Sequence, residues 1–132
     1  MSADDRLSIM DLLARYARCL DSGDLDGYVN NFAPDGVLFG THVGRQQIRD
    51  YVGQVIARRN TDPSRRMHLV GSPVIKGDGQ RATVHSYLLW IELGAESPVS
   101  AAAEYNDSVV KLDGRWVFES RMLTRLVGPQ LP

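Results

Sequence analysis

An α+β fold is predicted, with helices packed on one face of a mostly antiparallel sheet. Two observations carry this. Apolar residues recur at helical spacing up to about residue 60, and from there the period falls to that of a strand. Two hairpin signals, Gly77-Asp78-Gly79 and Asp113-Gly114, then divide the second half into a meander. Helices first and a meander afterwards give an α+β domain.

Each element follows from local chemistry. Ser2 and Asp5 form a capping pair that opens the first helix, and Ile9, Leu12, Leu13, Tyr16, Ala17 and Leu20 give it a buried stripe. Gly23 stops it. Asp24 caps a short second helix carrying Leu25, Tyr28, Val29 and Phe32. Pro34-Asp35-Gly36 is read as a turn before a short strand, Val37 to Phe39. A third helix follows Gly44, with Ile48, Tyr51, Val52, Val55 and Ile56 on one face, and Asn60, Asp62 and Pro63 end it. Four strands are expected at His68 to Ile75, Arg81 to Glu92, Ser100 to Leu112 and Trp116 to Leu126, with a looser connection from Gly94 to Pro98. No repeat or linker interrupts the chain, so residues 1–132 are read as one domain.

Composition excludes several roles. Fifteen Lys and Arg against sixteen Asp and Glu leave a net charge of −1, with no basic surface to displace the counterions of nucleic acid. Arg58-Arg59 and Arg65-Arg66 are read as a solvated cluster around a loop. The single cysteine, Cys19, sits in an apolar helical pattern and cannot form an internal disulfide. The first residues lack an apolar signal core and no apolar run spans a bilayer. A soluble, cytoplasmic protein without membrane or nucleic-acid partners is expected. With no close histidine pair and no cysteine cluster, no metal site is expected either.

The residues able to carry chemistry are few. A phenol (Tyr16), a carboxylate (Asp21) and an imidazole (His68) are the parts of a proton-transfer site if they converge. An acidic residue is a poor choice at the negative end of a helix, so Asp21 asks for a partner. His68 would supply a group that titrates near neutral pH. Tyr16 and Asp21 are five residues apart, about 140° around the helix axis, and cannot share a face. On the second long strand Ala82, Val84, Ser86, Leu88, Trp90 and Glu92 alternate onto one face. Trp90 would then be a stacking surface, and Glu92 either a site carboxylate or a rim residue paired with an arginine. Tyr105 and Asp107 share a face of the next strand; Tyr105 can present its hydroxyl to a ligand, and Asp107 can instead hold Arg121 or Arg125. Phe39 and Leu20 are candidate apolar wall residues. His85 falls on the opposite face.

These segments resemble the SnoaL-like branch of the nuclear transport factor 2-like superfamily. The motifs are Y-A-x-x-x-D-x-G-D-x-D-x-Y at 16–28, F-A-P-D-G at 32–36, G-R-Q-Q-I-R at 44–49, M-H-L-V-G at 67–71, R-A-T-V-H-S-Y at 81–87, and the run from Glu104 to Arg121. The resemblance implies a cone-shaped α+β barrel, three helices on a strongly bent sheet enclosing a cavity. Asp21 is similar in position to the aspartate that orients the catalytic histidine of scytalone dehydratase and bile-acid dehydratases, and His68 to that histidine. Tyr16 matches the bile-acid dehydratase tyrosine and the oxyanion-binding tyrosine of ketosteroid isomerases. The isomerase base has no counterpart, because its place falls near Phe39-Gly40. The expectation is a cofactor-independent lyase, a dehydratase acting on a small hydrophobic cyclic or aromatic hydroxy compound. Alternatives are a non-catalytic subunit like the small subunit of ring-hydroxylating dioxygenases, a double-bond isomerase or a polyketide cyclase. A homo-oligomer, dimer or trimer, is expected through the exposed sheet face.

Overall fold

The computed structural model describes residues 1–60, 65–93, 96 and 98–127. Among them are three helices, Ala3–Ser22 (α1), Leu25–Val29 (α2) and Gly44–Asn60 (α3). The strands are Phe32–Leu38 (β1), His42–Val43 (β2), Arg65–Gly77 (β3), Arg81–Leu93 (β4), Val99–Leu112 (β5) and Arg115–Val127 (β6). The strands form one curved, unclosed sheet in the order β2-β1-β6-β5-β4-β3. All neighbours run antiparallel except β1 and β6, which are parallel. The helix-then-meander reading therefore holds, with a sixth strand added by the short β2. Asp62 and Pro63, and most of the Gly94 to Pro98 connection, lie outside the described residues.

The expected ends of α1 are present. Ser2 accepts from the Asp5 N–H and Asp5 reaches back to Ser2, a reciprocal capping box. At the other end Gly23 adopts φ 79°, and Asp24 N–H bonds the Cys19 carbonyl at 2.8 Å while Gly23 N–H bonds Leu20 at 3.3 Å. This left-handed closure suits glycine and stops the helix just past Asp21. Asp24 caps α2 through the Gly27 N–H, as expected.

Two local readings need correction. Phe32 is the first residue of β1 rather than the last apolar residue of α2. Pro34-Asp35-Gly36 does not turn but continues β1 as a bulge, the pairing with β6 jumping from Phe32–Phe118 to Val37–Ser120. A bulge tolerates the missing proline donor. Gly36 is needed there because a Cβ would stand 3.0 Å from the Ala33 carbonyl oxygen and 3.1 Å from that of Phe118. The actual turn comes later, at Phe39-Gly40, where both residues have positive φ, 56° and 75°. Thr41 N–H closes this turn on the Leu38 carbonyl at 3.3 Å, and Leu38 pairs with His42, so three residues connect β1 to β2.

The core lies between the helices and the inner sheet face. Ile9, Leu12, Leu13, Tyr16, Ala17 and Leu20 of α1 are buried, as are Ile48, Val52, Val55 and Ile56 of α3. They cover Ala82, Val84, Leu88 and Trp90 of β4 and Ala101, Ala103, Tyr105 and Val109 of β5. The alternation on β4 is strict from Arg81 to Trp90, so His85 is exposed as expected. The outer face of the sheet leaves Met67, Leu69, Tyr87, Leu89 and Val99 exposed. Pairings Leu69–Leu89 and Leu89–Ala102 place these apolar side chains side by side across three strands.

Asp5 does more than cap. Its carboxylate also accepts from the buried Trp116 indole at 3.0 Å and from Lys111 Nζ at 3.1 Å, tying α1 to the last hairpin. The Trp116 hydrogen bond, with those of Ser2 and Lys111, holds this carboxyl well below the usual carboxylate range. A depressed folded-state value gives stability that is complete above the unfolded value, about 3.9, and is lost as pH falls further. Asp5→Asn is expected to lower Tm at neutral pH, with the gap to wild type narrowing as thermal melts are run below about pH 4.

Candidate active site

The site begins with an apparent misfit. Asp21 lies in the last turn of α1, where the free carbonyls are negative and no basic residue of the helix offsets them. Its compensation comes from other elements. Asp21 Oδ1 is 2.7 Å from His68 Nδ1, and Asp21 Oδ2 accepts the His68 backbone N–H at 2.9 Å. Arg59, from the end of α3, donates to Asp21 Oδ1 at 3.3 Å and to the Leu20 carbonyl at 2.9 Å. His68 sits on β3, an edge of the sheet, so its backbone N–H is available to a side chain from α1.

This arrangement sets the chemistry of the ring. A carboxylate can only accept, so the proton sits on Nδ1, and in the neutral tautomer Nε2 is the lone-pair atom. Nε2 has no hydrogen-bond partner among the described residues, while the side chain is only 1% exposed. An imidazole with one nitrogen anchored to a carboxylate is suited to accept and return a proton through the other.

Trp90 stands opposite His68 on β4, its ring 6.3 Å away and nearly parallel, at 9°. Arg66 lies over the other part of this stack, its guanidinium carbon 5.0 Å from the indole, and its Nε is 3.2 Å from Glu92. Of the two readings of Glu92, the arginine-paired one describes its contact.

A second polar group occupies the core further along the sheet. Tyr28 donates to the Tyr16 hydroxyl at 2.6 Å, and the Tyr105 ring is 5.9 Å from that of Tyr16. Arg121, fully buried, makes a two-pronged ion pair with Asp107 at 2.8 and 3.1 Å. Its guanidinium carbon lies 3.5 Å from the Tyr105 ring centre, 4.2 Å from Tyr16 and 4.5 Å from Phe118. Rings on both sides supply the attraction that water would otherwise give the charge. Burial pushes Asp107 up, although Arg121 pulls the other way. Burial works against the Arg121 charge, but the Asp107 carboxylate beside it outweighs this and raises its value.

The sequence-predicted residues thus fall into two groups. Asp21, His68 and Trp90 come together at the α1–β3 edge, with Leu20 buried beside them in α1. Tyr16 and Tyr105 meet each other, but make no bond or ring contact with Asp21 or His68. The helical angle explains this: Tyr16 faces β5 and β6, and Asp21 faces the edge strand. Phe39, on the hairpin turn, packs edge-on against Tyr51 at 6.4 Å. Asp107 holds Arg121 and not Arg125.

Sequence reasoning missed Arg59, Arg66 and Tyr28. The reading of the arginines as a solvated cluster is corrected for Arg59 and Arg66, whose side chains are 10% and 22% exposed. A signal existed: Arg59 continues the buried stripe of Val52, Val55 and Ile56 by seven, four and three residues. Among the described residues, no group of three or more His, Cys, Asp or Glu side chains is placed to hold a metal ion.

The tyrosine core has a direct optical consequence. Burial holds Tyr16, Tyr28 and Tyr105 well above the ordinary phenol value. In an alkaline absorbance titration these three are expected to stay protonated past about pH 10 and to ionise only as the protein unfolds.

With this geometry in place, comparisons with known proteins bear on it. The SnoaL-like domain family matches residues 1–122. No curated protein matches the chain. Among solved structures, a protein of unknown function with a cystatin-like fold from Nostoc punctiforme is 30% identical. The match covers 100% of this chain and 97% of that one, with a TM-score of 0.84. Another function-unknown protein, from Mycobacterium tuberculosis, is 26% identical over 94% of this chain and 77% of its own, with a TM-score of 0.81. A candidate scytalone dehydratase from Novosphingobium aromaticivorans shares the fold at 23% identity and TM-score 0.78, over 93% of this chain and 85% of its own.

Proposed function

The chain belongs to the SnoaL-like domain family, and on that premise we propose that it is a cofactor-independent lyase. Its reaction is the dehydration of a small hydrophobic cyclic or aromatic hydroxy compound. The observation that carries this reading is the 2.7 Å contact between Asp21 and His68 Nδ1.

The steps follow from that tautomer. Nε2 takes a proton from a carbon next to the substrate's carbonyl or phenol, and the electrons of that C–H bond pass into the ring system or carbonyl. Asp21 stabilises the imidazolium so formed. The same Nε2–H then protonates the departing hydroxyl, so that the substrate loses one hydrogen and one hydroxyl as water and gains a double bond. Tyr16, its hydroxyl 2.6 Å from that of Tyr28, is the phenol suited to receive the developing oxyanion. Tyr105 supports it from β5. Trp90 and Leu20 supply apolar walls beside His68, with Phe39 and the Arg66-paired Glu92 further out. The buried Ser86 Oγ, Trp90 Nε1 and Arg121 Nη1 lack partners among the described residues, which favours a polar molecule between sheet and helices.

Positioned acid/base groups contribute roughly 10²–10⁴-fold each. Asp21→Asn and His68→Ala are accordingly expected to lower dehydration of a hydroxylated cyclic ketone or phenol by that order, measured as water loss by mass spectrometry. Tm should stay within a few degrees of wild type. Near-normal turnover by either variant removes that residue from the site.

We also propose that the protein works as a homo-oligomer packed through the outer sheet face, which carries Leu69, Tyr87 and Leu89 exposed. Leu89→Glu is expected to give a folded monomer in light scattering where wild type gives a dimer or trimer.

A further inference from the structure

Arg59 touches three elements at once. Its side chain donates to the Leu20 carbonyl at the end of α1, to Asp21 Oδ1, and, at 3.2 Å, to the Arg66 carbonyl on β3. We propose that Arg59 is the positioning residue of the Asp21–His68 pair. It holds the carboxylate against the ring and balances its charge, so that His68 stays neutral and able to accept a proton. The importance of this for turnover rests on the acid/base reading above; the placement itself does not.

The geometric part of the case is one of counting donors. Two carboxylate oxygens receive three hydrogens: the His68 ring N–H and the Arg59 guanidinium share Oδ1, and the His68 backbone N–H occupies Oδ2. Rotation of the carboxylate would break at least one charge-assisted bond. The planar fork is what lets one side chain reach a helix carbonyl, a carboxylate and a strand carbonyl together. A lysine ammonium is a single point and cannot span them in the same way.

The electrostatic part concerns which charges the imidazole meets. From α1 comes Asp21, behind which stand the negative carbonyls of the helix end. From α3 comes Arg59. On β3 and β4, beyond the Trp90 ring, Arg66 and Glu92 lie 3.2 Å apart and largely cancel. Asp21 and Arg59 cancel in the same manner. Without Arg59 the ring would face an unbalanced carboxylate and a helix C-terminus, both of which favour the protonated, cationic imidazole. A ring already protonated cannot act as the base.

The test needs no substrate for its main arm. The chain has three histidines, so ring ¹⁵N resonances of the intact protein are assigned to His68 by comparison with His68→Gln. Wild type at neutral pH is expected to show a neutral ring with the proton on Nδ1 and a downfield hydrogen-bonded proton. In Arg59→Gln the imidazolium pattern should grow and the downfield proton should broaden or vanish. Arg59→Lys should move the same way by less. Where a substrate is in hand, kcat should fall roughly tenfold to a hundredfold in Arg59→Gln with KM little changed. An Arg59→Gln protein that melts normally and keeps the wild-type ¹⁵N pattern overturns the proposal. If that variant does not fold, an unchanged pattern in Arg59→Lys overturns it equally. Failure of the acid/base reading looks different: His68→Ala stays active while the Arg59 variants still change the ring spectrum.

Discussion

A carboxylate at the carbonyl end of a helix repels its own backbone, and the site in this protein is organised around relieving that repulsion. Donors from elsewhere offset that repulsion at Asp21. They arrive from two directions, the edge strand through His68 and the end of α3 through Arg59. The Gly23 closure matters because it ends α1 within two residues of Asp21 and turns the chain away before it can crowd the strand. Helix end, strand edge and second helix end are thereby tied at one point, and the imidazole takes its tautomer from that knot.

The other buried charge solves a different problem. Arg121 and Asp107 sit opposite each other on β6 and β5, with aromatic rings of α1, β5 and β6 against the guanidinium. A buried ion pair is weak evidence for stability, since desolvation offsets most of the attraction. Its effect is on register: slipping β6 by one residue would turn Arg121 outward and leave Asp107 alone in the core. Tyr16, Tyr28 and Tyr105 are packed on this pair, so the position of their hydroxyls depends on the same register.

Much of this was legible in the chain because it follows from short-range patterns. The stripe of α1, the capping pair, the glycine stop and the alternation along β4 each depend on residues within one or two turns of each other. The Asp21–His68 contact spans 47 positions and came from resemblance rather than periodicity. What could not be read was the bulge at Pro34-Asp35-Gly36, where local turn chemistry yields to pairing with β6, a strand more than eighty residues later. Arg59 was misread for the opposite reason: arginine is mostly exposed, and a place on the buried stripe was outweighed by residue type. The five-residue spacing sets Tyr16 and Asp21 on different faces of α1, and Tyr16 meets Tyr105 while Asp21 meets His68.

The backbone of β3 gives the dyad a second consequence. An edge strand offers a row of unused amides to any other extended chain, and such edges invite fusion of sheets between molecules. Here one of those amides, at the position carrying the imidazole, is occupied by Asp21, and α1 lies along the strand beside it. The acid that prepares the ring for chemistry also acts as a stopper on the rim of the sheet. Loss of its oxygens would therefore be felt beyond catalysis, as a molecule with an open zipper.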